Sequence, residues 1–165
     1  MFTKRTPINA FLSSCCFMAT AIMAASPAAA QVYTVASGST TTVATVISGT
    51  GDVEVTGGGT LALTNTANTY SGGTLAYGGS ILQINANGEL GATAGKLTLG
   101  DATTAGTLQF SAATSLPSTR LITLAAGGGS VDTGSFANTI AGVISGSGSL
   151  TTLGTGTLTL SGTNT

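Results

Sequence analysis

The chain has 165 residues, room for a single domain, and only four Lys/Arg and five Asp/Glu, with no His and no Trp. About a quarter of a typical globular domain is charged; here the figure is 5%, against 42% hydrophobic. That balance excludes charge-driven disorder, an ordinary cytosolic enzyme, and a nucleic-acid binder, which needs a basic patch.

Residues 1–30 read as a secretory signal peptide. Lys4 and Arg5 form a positive start, "AFLSSCCFMATAIMAA" is apolar, and Ala28, Ala29 and Ala30 supply an A-x-A cleavage site. Two other readings compete. A membrane anchor would need about 20 apolar residues, and lipid attachment at Cys15 would need a longer apolar run before it. Both cysteines, Cys15 and Cys16, fall in this segment, so the mature chain is expected to lack thiol chemistry, disulfides and Cys metal sites. It would carry Lys96 and Arg120 against Asp52, Glu54, Glu89, Asp101 and Asp132. No membrane span is expected in it, and a cysteine-free exported chain suits the oxidising space past a bacterial inner membrane, although the A-x-A site alone also fits a eukaryotic secreted protein.

After a lead-in at 31–42, short alternating runs dominate 43–165. In chain order they are "DVEV" (52–55), "TLALT" (60–64), "ILQI" (81–84), "KLTLG" (96–100), "TLQF" (107–110), "RLITL" (120–124), "SLTT" (149–152) and "TLTL" (157–160). Alternation over four to six residues places successive side chains on opposite faces of a strand. The Thr and Val between the aliphatics suit that backbone. Gly and Asn punctuate the runs where tight bends are needed. No window after residue 30 has helical periodicity.

Internal repetition selects the architecture. "VATVISGTGDVEVTGGGTLALT" (43–64) aligns without a gap with "IAGVISGSGSLTTLGTGTLTLS" (140–161), at an offset of 97 residues and with 11 of 22 positions identical. Such self-similarity favours a β-solenoid, with inward aliphatics stacked from coil to coil. At about 20–25 residues per coil, the mature chain makes roughly six coils, and the 97-residue offset corresponds to about four of them.

These residues resemble the autotransporter passenger-associated β-strand repeat. "ISGSGSLTTLGTGTLTLSGTNT" (144–165) matches its pattern closely, and 47–74, with "NTYSGGT" at 68–74, matches more loosely over a longer span. "ILQINANGELG" (81–91) and "GTLQF" (106–110) look like its intervening text. Position 153 is Leu where the family often has Lys. The resemblance implies an all-β, right-handed parallel β-helix, a structural passenger of a type V secretion system at a Gram-negative cell surface. The membrane barrel that delivers such passengers is not in this sequence. The repeat region is therefore expected to be incomplete at its C-terminus, with Leu158 and Leu160 as inward rungs of an open coil. Self-association through that coil, a periplasmic address in the absence of a barrel, and a non-functional truncated product are further expectations.

No catalytic, cofactor-binding or metal residue is assigned. Without His or mature Cys, Ser-His-Asp and Cys-His catalysis have no members, nor does a His-based metal site. Asp52 and Glu54 share a strand face and are the one candidate carboxylate pair, as a β-helical carbohydrate-active enzyme would use; the competing reading is two fully exposed solvated residues. "GTGDVEV" (49–55) is a single copy with one suitable Asp, too little for a calcium-binding glycine-aspartate repeat. The "GGG" runs at 57–59 and 127–129 lack the Lys and helix of a phosphate loop and read as turns. Tyr70 and Tyr77 form either a small surface patch for a partner or the packing of a coil corner.

Overall fold

The computed structural model describes residues 30–165. The segment expected to be a signal peptide, with Cys15 and Cys16, lies outside the described residues but for Ala30.

Fifteen short strands follow one another: β1 (Gln31–Thr34), β2 (Thr40–Val43), β3 (Val53–Thr56), β4 (Thr60–Leu63), β5 (Thr74–Ala76), β6 (Ile81–Ile84), β7 (Leu97–Leu99), β8 (Gly106–Phe110), β9 (Ser115–Leu116), β10 (Ile122–Leu124), β11 (Gly129–Asp132), β12 (Ala137–Ile140), β13 (Ile144–Gly146), β14 (Leu150–Leu153) and β15 (Thr157–Leu160). A single 3₁₀ turn, Asn87–Leu90, sits between β6 and β7. All strand–strand pairings are parallel, and none joins neighbours in sequence. The first face stacks β1-β3-β5-β7-β10-β13 and the second stacks β2-β4-β6-β8-β11-β14. The third holds only β9-β12-β15. The described residues form an all-β parallel solenoid of six coils.

Alternation builds the core. On the first face Val53, Val55, Ala76, Leu97, Leu99 and Ile122 point inward and are nearly sealed. Leu61, Leu63, Leu82, Ile84, Leu108, Phe110 and Val131 do the same on the second face. Register puts like over like: Leu82 stacks on Leu61 and under Leu108. Most inward aliphatics thus meet another about 4.8 Å away along the stack; Val53, between Gln31 and Thr74, does not. Burying one is worth about 1.5–3 kcal/mol.

The expectation that 97 residues make four coils is corrected by the register. Val53, Thr74, Leu97, Ile122 and Ile144 are successive rungs of the first face. Four coils from Val53 to Ile144 therefore span 91 residues, and a shift of 97 overshoots by one face. The text of β3 recurs in β14 on the second face, and the text of β4 recurs in β15 on the third. Every face asks much the same of a strand, small or mostly apolar inward side chains between tight bends. One sequence therefore satisfies any of the three.

In the last described coil the inward positions lose cover. Leu158 and Leu160 align with buried Asn138 and Ile140 of the coil beneath, so they are inward rungs, but Leu160 is 40% exposed.

Candidate functional site

The first rungs of the first face are each preceded by an outward position: Asp52, Gly73, Lys96, Leu121 and Val143. Gly73 leaves a gap between Asp52 and Lys96, and an open groove of about 320 Å³ follows, lined by Asp52, Ser71, Leu75, Ala94, Lys96 and Thr98 around a glycine floor. The floor is imposed by stacking. A Cβ on Gly72 would collide with the carbonyl oxygen of Gly51, and one on Gly95 would collide with that of Gly72.

Asp52 and Glu54 are not the free carboxylates expected. Both are half-buried. The Asp52 carboxylate accepts the backbone N–H of Gly73 one coil on. Glu54 accepts the Tyr77 hydroxyl at 3.0 Å, and that bond is the main reason the Tyr77 pKa is raised. Each acid is thus tied to the next coil, because an outward side chain in a parallel stack meets its neighbour about 4.8 Å away.

Tyr70 and Tyr77 separate in the structure. Tyr70 is buried at a corner, its hydroxyl 2.7 Å from Thr74 Oγ1, and burial pushes its pKa up to about 12. Tyr77 is half-buried on the outside. With Phe110 also buried, the surface aromatics that sugar stacking needs are few. The glycine runs at 57–59 and 127–129 form the bends between β3 and β4 and between β10 and β11, with Gly57, Gly58 and Gly128 at positive φ.

Polar ladders run along the stack. Outside the second face, Gln83 donates to Gln109 at 2.7 Å, and Gln109 donates to Asp132 at 2.8 Å. Inside, Asn68 accepts the N–H of Ile47 and donates to the carbonyl of Glu89, both at 2.8 Å. Asn138 and Asn164 accept the N–H groups of Thr114 and Ile144 in the same manner. A short amide side chain carries both a donor and an acceptor. It can therefore join two coils where strand hydrogen bonds lapse.

Two buried charges escaped the sequence reading. Glu89 is fully buried in the 3₁₀ turn. Its Oε2 accepts the N–H groups of Asn85 and Ala86, Oε1 has no partner, and burial raises its pKa. Arg120 is 1% exposed and hydrogen-bonds to the segment around that turn. Among the described residues no group of three or more acidic, His or Cys side chains is placed to hold a metal. No helix among them is long and apolar enough to cross a membrane.

Parallel coils, glycine bends and outward polar ladders together make a repeat module, and a known protein is similar to it in sequence. The chain is 38% identical over 122 residues to the adhesin BmaC autotransporter of Brucella suis biovar 1 (strain 1330). The repeats are of the autotransporter-passenger kind. The alignment covers 68% of this chain but 3% of that adhesin, so the chain spans a small part of its relative. No family model and no solved structure matches the chain. In this chain the groove, the ladders and the buried charges are all products of coil stacking. Leu153 is 46% exposed and pairs in register with Asp132 at an outward site.

Proposed function

We propose that the chain is a structural passenger segment exposed at the surface of a Gram-negative cell, where it contributes to adhesion or cell aggregation. The observation that carries this reading is the 38% identity to an autotransporter adhesin in a chain folded as a six-coil parallel solenoid. Stacked coils present long, regular Thr/Ser-rich faces with little net charge, a surface suited to broad weak contacts rather than to one chemical step. Export through the signal peptide at 1–30 is part of the same proposal.

Fusing the chain to an autotransporter barrel and displaying it on a non-adherent Gram-negative host tests this. Cells should acquire surface signal with an antibody to the passenger, and adherence or settling should rise over barrel-only cells. Surface display with adherence equal to the barrel-only control would leave the stalk and remove the adhesive role. The enzymatic alternative is checked by screening polysaccharides with the purified chain. Turnover abolished by Asp52→Asn and Glu54→Gln would replace the structural reading.

A further inference from the structure

The third face changes character halfway along the stack. In coils four to six it is the parallel sheet β9-β12-β15; in coils one to three no strand occupies it among the described residues. The change falls between residues 85–95 of the third coil and Arg120 of the fourth. Few backbone bonds cross here, and side chains do most of the joining.

Arg120 is the centre of that joint. Its Nε donates to Asn87 Oδ1 at 3.1 Å. Nη1 donates toward the carbonyls of Leu90 at 3.1 Å, Ala92 at 2.8 Å and Gly95 at 2.7 Å, and Nη2 donates to that of Gly91 at 3.0 Å. Four of its five acceptors are backbone oxygens of one short segment, and no carboxylate is among them. The segment is bent to make this possible. Gly91 has φ +65, and a Cβ there would collide with the Tyr70 carbonyl. Gly91 and Gly95 let the loop press on the coil beneath while its carbonyls turn toward the coil above.

A guanidinium is the cation this arrangement fits. Its five N–H groups leave three nitrogens in a fixed plane, and the five oxygens are distributed over those three nitrogens at hydrogen-bond distances. An ammonium, a compact point charge, cannot span them. Neutral carbonyls also lack the negative charge that a divalent ion's sites supply. The carbonyls of Leu90, Gly91 and Ala92 lie at the C-terminal end of the 3₁₀ turn, where partial negative charge gathers.

We infer that residues 87–95 form a guanidinium-selective cage and that Arg120, its resident ligand, latches the third coil to the fourth across the third face. When the latch is withdrawn, 85–95 opens as a unit while the first two faces stay paired.

Hydrogen exchange on the full chain tests this with Arg120→Ala. Amides of 87–95 should exchange at least about tenfold faster, with β8 and β11 little changed. Millimolar guanidinium chloride, far below denaturing strength, should restore protection in the variant and leave the wild type unaltered, and potassium chloride at equal strength should do nothing. If Arg120→Ala does not fold alone, the same additions are read as recovery of the strand signal in circular dichroism. Asn87→Asp supplies a second arm: a carboxylate against Nε should slow exchange of 87–95 below wild type. Absence of guanidinium rescue, equal rescue by potassium, or uniform loss of protection over all three faces would overturn the latch.

Discussion

A buried side chain that bridges two coils is worth more than its count of bonds suggests. Asn68 satisfies the N–H of Ile47 below and the carbonyl of Glu89 above. Asn68→Ala orphans the Ile47 N–H and leaves the Glu89 carbonyl only the Tyr70 hydroxyl at 3.5 Å, and stability should fall by about 1–3 kcal/mol, read as a lower urea midpoint with an unchanged slope. Glu89 behaves in the opposite sense. Its carboxyl is buried with Oε1 unpartnered, and its pKa is raised by burial. A raised folded-state pKa means that the folded chain holds the proton more tightly than the unfolded chain. Glu89 therefore supports the fold fully below the unfolded carboxylate range, about 4.3, and that support is lost as pH rises through the elevated folded value. Glu89→Gln should flatten stability against pH across that window and raise the thermal midpoint at neutral pH. A variant as pH-dependent there as the wild type would show that another group titrates.

Strands and bends set how closely coils approach. A Cβ on Gly106, which opens β8, would run into the Ala76 carbonyl one coil below. Gly106→Ala must part the third and fourth coils and should cost about 3 kcal/mol. Gly79, unlike Gly106, is at positive φ, but a Cβ there would meet nothing within 4 Å. Gly79→Asn should stay within about 0.5 kcal/mol, since Asn tolerates that backbone. Thermal melts of the two variants side by side check both.

Strands with two clean inward aliphatics were legible in the sequence: β3, β4, β6, β7, β8, β10 and β15 follow the alternation closely. β5, β9, β11 and β13 have two to four residues and contain Gly, Ala or Ser at an inward or neighbouring position. Their strand state comes from the neighbour's open edge rather than from their own pattern. Arg120 was legible in one respect. It shares parity with Ile122 and Leu124, and all three point inward. Its acceptors were not, because four of the five are backbone atoms, which leave no trace in residue type. Glu89 gave no signal for the same reason.

Across the whole molecule, cover on both sides decides how much a rung contributes. Leu108 is sealed between Leu82 and Val131, and Leu108→Ala should cost about 2–5 kcal/mol. Leu158, in the last described coil, is only partly buried. Leu158→Ala should cost about 1 kcal/mol, roughly one or two buried methylenes. Equal losses in denaturant titrations would mean that the last coil is covered in solution, as it would be in an assembly of copies. The two halves of the third face should also separate in hydrogen exchange. Ladder bonds protect β12, while 44–52 and 64–73 are held by isolated backbone bonds and by Asn side chains.

The one-face overshoot of the internal repeat has a consequence for how such a chain changes length. Copying the 97-residue unit adds four coils and about one third of a turn. Every outward residue beyond the new copy then swings around the axis, and whatever it displays points in a new direction. A second copy swings it again, and a third brings it back to the starting side. Growth by this unit therefore re-aims the distal surface, and it also carries the strandless stretches of the third face, 44–52, 64–73 and 85–95, onto another face.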